Sequence, residues 1–271
     1  MRHGPRARRR PVPGGMAELA SEAVLIGAGG RAILLQIADA AVGRGVAAHS
    51  GFARDPVVRL RNTLVYSYAI GCGTPEDTRR AVAMVNRAHR GVRADADGDR
   101  PAYDAVDPGL QLWVAATLWD SAVRMHELVL GPLDARTADR AYVEWVTVGA
   151  ALQMPAALWP ADRAAFAEYW DAAVDRLTVT DEARSVAGAL LHPPVAPLWL
   201  RAALPVGRLA TAGLLPPRLR AAYRMPWGPR RERRFRLLLA ATRLVYPRLP
   251  ARVRHWPRDY CLGVLRGDRR P

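Results

Sequence analysis

Apolar residues recur at intervals of three and four along most of the chain, and strict apolar–polar alternation is not sustained anywhere. This period predicts helices over residues 16–27 and 31–47, broken at Gly27-Ala28-Gly29-Gly30, and a third from Pro56 to about Ile70. A fourth spans 75–92, and a longer one opens at Asp107-Pro108 and runs through LQLWVAATLWDSAVRMHELVL to Gly131. Further helical segments fall near 134–152, 160–177, 180–191, 197–211 and 230–246, with Pro-rich joints HPPVAP, LLPPRL, RMPWGP and YPRLP separating the later ones. No internal repeat interrupts the pattern. The expected fold is all-α: a single multi-helix domain.

Start signals agree with the periodicity. Asp55 is a good N-cap for a helix with Pro56 at its first position. Thr74, Pro75 and Asp77 stand at N-cap, N1 and N3, close to a capping box. The opening MRHGPRARRRPVPGG is basic and rich in Pro and Gly, so residues 1–15 are expected to be a disordered extension. It resembles a twin-arginine leader only superficially, because no apolar segment follows at the proper distance. Met16 opens a clean helical sequence and is a candidate start. The helical domain is expected over 16–258, with 259–271 as a tail.

Composition bounds the function classes. The chain is 50% hydrophobic over 271 residues, enough to bury a substantial core. Its formal charge of +15 invites a polyanionic partner. Every basic residue is Arg, however, and enrichment in Ala, Gly, Pro and Arg without Lys is the imprint of a GC-rich genome, so no specific nucleic-acid partner is expected. Cys72 and Cys261 are far apart in sequence, which fits a reducing compartment and excludes a Cys-rich zinc module. Arg31 splits the most hydrophobic region, leaving no run of 18 apolar residues, and a cytoplasmic location is expected. The segment RERRFRLLLAATRLVY is a basic amphipathic helix. It raises peripheral contact with an anionic membrane, although a solvated charged start with a packed apolar end is the preferred reading.

Candidate chemistry is concentrated between Arg59 and Gly91. On a helical wheel Thr78, Val82, Val85 and Arg93 share the face of His89, while Arg80 and Arg87 point away, so the imidazole faces inward. It is either a core histidine satisfied by a carbonyl or a haem or metal ligand. Arg59 and Thr63, four apart, share one helix face. The arginine would meet an anion such as a haem propionate, or an acid such as Asp55 or Asp107. His49 and His126 read as late-helix histidines beside the negative dipole end, and Trp113 and Trp119 as core. Gln36, Asp39 and Ser50 belong to the same early segment as His49. There is no HExxH, GxSxG or Walker-type loop, and GAGGR follows no strand.

Taken in order, LLQIADAAVGRGVAAHS, RLRNTL, GTPED…VNRAHRGVR and YDAVDPGLQLWVAATLWDS resemble the haem-b-dependent oxygenases that include the bacterial latex-clearing (rubber oxygenase) proteins and the MpaB-type oxygenase. The C-terminal PPRLRAAYRMPWGPRRERRFRLLLAATRLVYPRLPARVRHWP is similar to the end of the bacterial members, so the resemblance spans roughly 17–257. It implies an all-helical fold holding haem b through an axial histidine, and oxidative cleavage of a carbon–carbon double bond in a lipophilic isoprenoid by O₂. His89 matches the axial histidine and hence the iron ligand. Arg59 and Thr63 match the family's Arg–x–x–x–Thr pair near the haem, Arg59 as a propionate partner or a residue shaping the pocket, and Thr63 as a hydrogen-bonding group. The chain departs at Asp39 and Ala115, where many relatives carry histidine, and at Ala94, where Gly is usual. Two expectations therefore stand: an oxygenase acting on a small lipophilic substrate with O₂, or a non-catalytic haem or hydrophobic-ligand binder.

Overall fold

Thr74 and Asp77 close a reciprocal capping box: the Asp77 N–H donates to Thr74 Oγ1 at 3.2 Å, and the Thr74 N–H donates to Asp77 Oδ2 at 2.8 Å. With Pro75 at the first position, the helix starts where its spacing predicts. The computed structural model describes residues 14–49, 56–193 and 196–268, except for the side chains of residues 56, 57 and 59. The expectations for the basic extension over residues 1–13, for Ser50 and for Asp55 as an N-cap lie outside the described residues, as does the side chain of Arg59.

The helices are α1 Met16–Ala20, α2 Gly29–Ile37, α3 Ala40–His49, α4 Pro56–Cys72, α5 Pro75–His89, α6 Pro108–Leu130, α7 Ala135–Trp145 and α8 Thr147–Ala150. They continue as α9 Arg163–Arg176, α10 Asp181–Leu191, α11 Leu198–Leu214, α12 Pro217–Ala222, α13 Pro229–Val245, α14 Ala251–Arg254 and α15 Trp256–Arg266. A 3₁₀ turn, Ala23–Ala28, leads directly into α2. The fold is all-α, as expected. The loop after α5 holds one short antiparallel ladder, β1 Arg93–Ala94 with β2 Tyr103–Asp104, in which Arg93 pairs with Asp104 and Ala94 with Tyr103.

The early helices are cut at more points than expected. Within the expected break at Gly27 to Gly30 the 3₁₀ turn gives way to α2 at Ala28–Gly29, and Ser21 and Glu22 separate α1 from that turn. Gly30 lets α2 approach α11, since a Cβ there would lie 2.0 Å from Thr211 Oγ1. A further break falls at Asp39. Its Oδ1 accepts the N–H groups of Ala41 and Val42, both at 3.0 Å, which starts α3 afresh. The chain turns through 107° at that point. Beyond the predicted segments lie α12, α14 and α15, the last packing Cys261 and Leu262 against α4.

The core is organised around α6, which buries residues from Gln111 to Val129. Trp113 and Trp119 are both 4% exposed, in line with a core role. Trp119 meets Tyr142 and Trp145 edge-on, and Tyr142 continues the aromatic contacts to Trp159 and Phe166. Arg31 crosses this core, 3% exposed: its guanidinium pairs with Asp120 at 2.6 Å and donates to Ser121 Oγ at 2.7 Å and to the Leu214 carbonyl at 2.9 Å. Those bonds tie α2 to α6 and to the end of α11, and burial lowers the arginine pKa against the opposing pull of Asp120. Among the described residues no single helix is long and apolar enough to cross a membrane.

Candidate functional site

One cavity, about 380 Å³, lies between α3, α4, α5, α6, α8 and the β1–β2 loop. Its walls are mostly apolar: Val42 and Val46 from α3, Met84 and Val85 from α5, Val114 and Leu118 from α6, and Val148 near the start of α8. That size is within the usual range for small-molecule and cofactor sites. The capped start of α5 sets the helix so that Val85, Ala88 and His89 face the cavity. The shared helical face of Val85 and His89 is thus realised. His89 is half-buried and its Nδ1 is out of contact with solvent.

Thr63 lines the same cavity, with Asn62 and Ser67 beside it on α4. Thr63, Asn62, Ala88 and His49 are exposed and mark the mouth. Arg59 enters α4 one turn before Thr63; among the described residues the lining contains no arginine. The structure therefore brings His89 and Thr63 together.

Several polar lining groups are committed to the protein itself. Tyr66 donates its hydroxyl to the Val148 carbonyl at 2.6 Å, and burial pushes its pKa upward. Gln36 donates to Thr117 Oγ1 at 3.0 Å, while Thr117 donates to the Val114 carbonyl at 2.7 Å. Gln111 Nε2 donates to Gln153 Oε1 at 2.6 Å and to the Ala105 carbonyl at 3.1 Å, and its Oε1 accepts the Gln153 N–H at 2.9 Å. The Gln153 amide reaches on to Asn86 Oδ1 at 2.9 Å, one turn before His89, so the loop, α6 and α5 share one amide network.

His49 ends α3, as a late-helix histidine should, but it also lines the cavity. Its Nε2 lies 2.8 Å from the Tyr103 hydroxyl of β2, joining the end of α3 to the loop. Gly45 makes room for that tyrosine, since a Cβ would sit 3.0 Å from the ring. Arg44 places its guanidinium over the same ring, 5.3 Å from the centroid. Tyr103 was not a sequence candidate, because nothing in a polar loop marks a buried tyrosine. Asn62 had a signal in its place next to Thr63. His126 stays apart from this cavity's lining, and desolvation lowers its pKa. Of the two departures from the resembled family, Ala115 lines the cavity and Asp39 caps α3.

Comparison with known proteins places these features in a family. The uncharacterized protein Rv2237 of Mycobacterium tuberculosis is 37% identical over 226 residues, covering 82% of this chain and 88% of its own length. The uncharacterized protein Mb2261 of Mycobacterium bovis matches to the same extent, 37% over 226 residues. No solved structure matches the chain. The family described as ER-bound oxygenase mpaB/B′/rubber oxygenase, catalytic domain, matches residues 17–244. That match spans most of the chain, and the chain belongs to this oxygenase catalytic-domain family.

Proposed function

We propose that the cavity would hold haem b through His89, and that the protein is a haem-dependent oxygenase acting with O₂ on a small lipophilic, unsaturated molecule. The observation that carries this reading is the donor set. His89 stands on a largely apolar wall, and among the described residues no group of three or more His, Cys, Asp or Glu is gathered for a bare ion. A protein-held zinc needs three or four such ligands, whereas iron already held by a macrocycle can be anchored by one imidazole. The residues present fit the latter. Family membership supports an oxygenase-type catalytic domain in general.

The bound haem would supply the oxygen chemistry, and the chain supplies the setting. His89 would anchor the cofactor from α5, and Arg59 would meet a propionate from the first turns of α4. Thr63 would offer a hydroxyl at the mouth. Val85, Val114 and Leu118 would exclude water around a lipophilic substrate, and the Gln111–Gln153–Asn86 network would hold the α5 wall in place.

A second reading, a non-catalytic haem or hydrophobic-ligand binder, is favoured by Asp39 and Ala115, the two departures from the histidines of the resembled family; Ala115 is among the residues that line the cavity. The test is an absorbance spectrum of protein from haem-replete cells, oxidised and dithionite-reduced, beside His89→Ala. A Soret band is expected in the wild type and lost in the variant, with unchanged far-UV circular dichroism. A colourless, folded wild type would overturn the haem assignment. A bound haem without O₂ uptake on any unsaturated lipid tested would leave the second reading.

A further inference from the structure

We propose that the outer face of α11 and α13 docks on an anionic lipid surface. The chain's excess of positive charge falls in the stretch that contains these two helices. Residues 196–257 contain fourteen arginines and one acid, Glu232, while the rest of the chain carries 26 arginines against 24 acids. A genomic preference for arginine codons acts along the whole chain and does not remove acids from one stretch. The excess belongs to this stretch, and eight of its fourteen arginines lie on α11 and α13.

The same stretch exposes apolar side chains. Of the twelve large hydrophobic residues left exposed among the described residues, eight lie between Leu198 and Trp256. Leu198 is 80% exposed and Trp199 60%, both on the first turn of α11. On α13, Phe235 and Leu239 face the protein, as does Tyr246 just past its end, and they pack with Leu209 of α11. The opposite stripe carries Arg230, Arg234, Leu237, Ala241 and Leu244 at helical spacing, with Leu237 and Leu244 59% and 60% exposed. Apolar residues are thus flanked by cations on a helix already anchored by its inner face.

Arginines alone would suit any polyanion, and a nucleic-acid face gains nothing from exposed leucines. A second copy of the chain would bring one arginine-rich face against another. A lipid surface takes both features: phosphates meet the guanidinium groups, while Trp199 and the leucines enter the boundary between headgroups and acyl chains. The docking does not depend on the oxygenase reading, because it needs no haem.

The experiment is flotation of the full chain with phosphatidylcholine vesicles and with vesicles that also contain phosphatidylglycerol. Partitioning onto the anionic vesicles is expected to be at least about tenfold stronger. Leu198→Ser with Trp199→Ser should weaken it by about tenfold or more, and Arg233→Glu with Arg234→Glu should do the same. Val143→Ser, on the exposed side of α7, should leave it unchanged. Absence of flotation with phosphatidylglycerol overturns the proposal. So does wild-type flotation of Leu198→Ser/Trp199→Ser together with tight duplex-DNA binding, which would make the partner a nucleic acid. A dimer by light scattering that the same apolar pair of substitutions converts to monomer would assign the face to self-association.

Discussion

Asp77 and Arg266 stand 189 residues apart and are joined by two hydrogen bonds, from Arg266 Nε to Oδ1 at 2.9 Å and from Nη2 to Oδ2 at 2.6 Å. The carboxylate that caps α5 is therefore also the anchor of α15. The helix carrying His89 is fixed at its start by a residue from the last helix described.

This pair should dominate one part of the acid response. The Arg266 guanidinium, aided by Thr74, holds the Asp77 carboxyl down at about 2, against a usual value of 3.8. Because the folded pKa is depressed, the stabilisation is fully present above the unfolded value and is lost as pH falls from about 4 to 2. It amounts to about 2 kcal/mol. Urea unfolding of Asp77→Asn should show that much lower stability at pH 7 and a flatter decline below pH 4. A wild-type acid profile in the variant would refute the assignment.

The anchor also shows what the sequence could and could not convey. Thr74, Pro75 and Asp77 announce the start of α5 because a capping box is local chemistry, and the wheel through Val85 and His89 depends only on helical period. The shared face of Val85 and His89 was legible for that reason, whereas Thr63, on α4, was marked by the family resemblance. The bend at Asp39 was not, since the apolar period runs smoothly through residues 31–47 and only the side-chain bonds to Ala41 and Val42 interrupt it. His49 was legible as a helix end but not as a cavity residue. That second role depends on Tyr103, 54 positions away in a polar loop. Asp77 was read as a cap alone because its partner on α15 is non-local.

Arg31 and Asp120 should behave as a buried pair. Asp120→Ala leaves the guanidinium without its counter-ion in a core where it is 3% exposed, and should cost about 3–5 kcal/mol. Arg31→Met with Asp120→Leu removes both charges and should recover much of that loss, with Ser121 and the Leu214 carbonyl each losing one bond. A double-mutant cycle by urea unfolding measures the coupling. Additive effects of the two sites would show that the pair is not linked.

Tyr103→Phe removes one hydroxyl while keeping the ring between Gly45 and Arg44. Its partner His49 is exposed, so water can replace the lost bond, and the cost should stay near 1 kcal/mol. Tyr103→Ala also removes a ring that is 7% exposed and should cost about 3–5 kcal/mol. Equal losses in the two variants would mean that the hydroxyl, and not the packing, holds the loop onto α3.

Ala115 and Ala116 offer the sharpest test of the cavity itself. They are adjacent on α6 and 1% and 0% exposed, yet only Ala115 lines the open volume. A leucine at 116 must displace packed neighbours and should cost about 1–3 kcal/mol. Leucine at 115 can extend into the space of about 380 Å³, so Ala115→Leu should fold with near wild-type stability. It would then compete for the room assigned to haem, and its pigment content should fall well below that of the wild type. Comparable destabilisation by both substitutions would mean that α6 does not border a cavity at 115. A stable Ala115→Leu protein with undiminished haem would move the cofactor away from this wall.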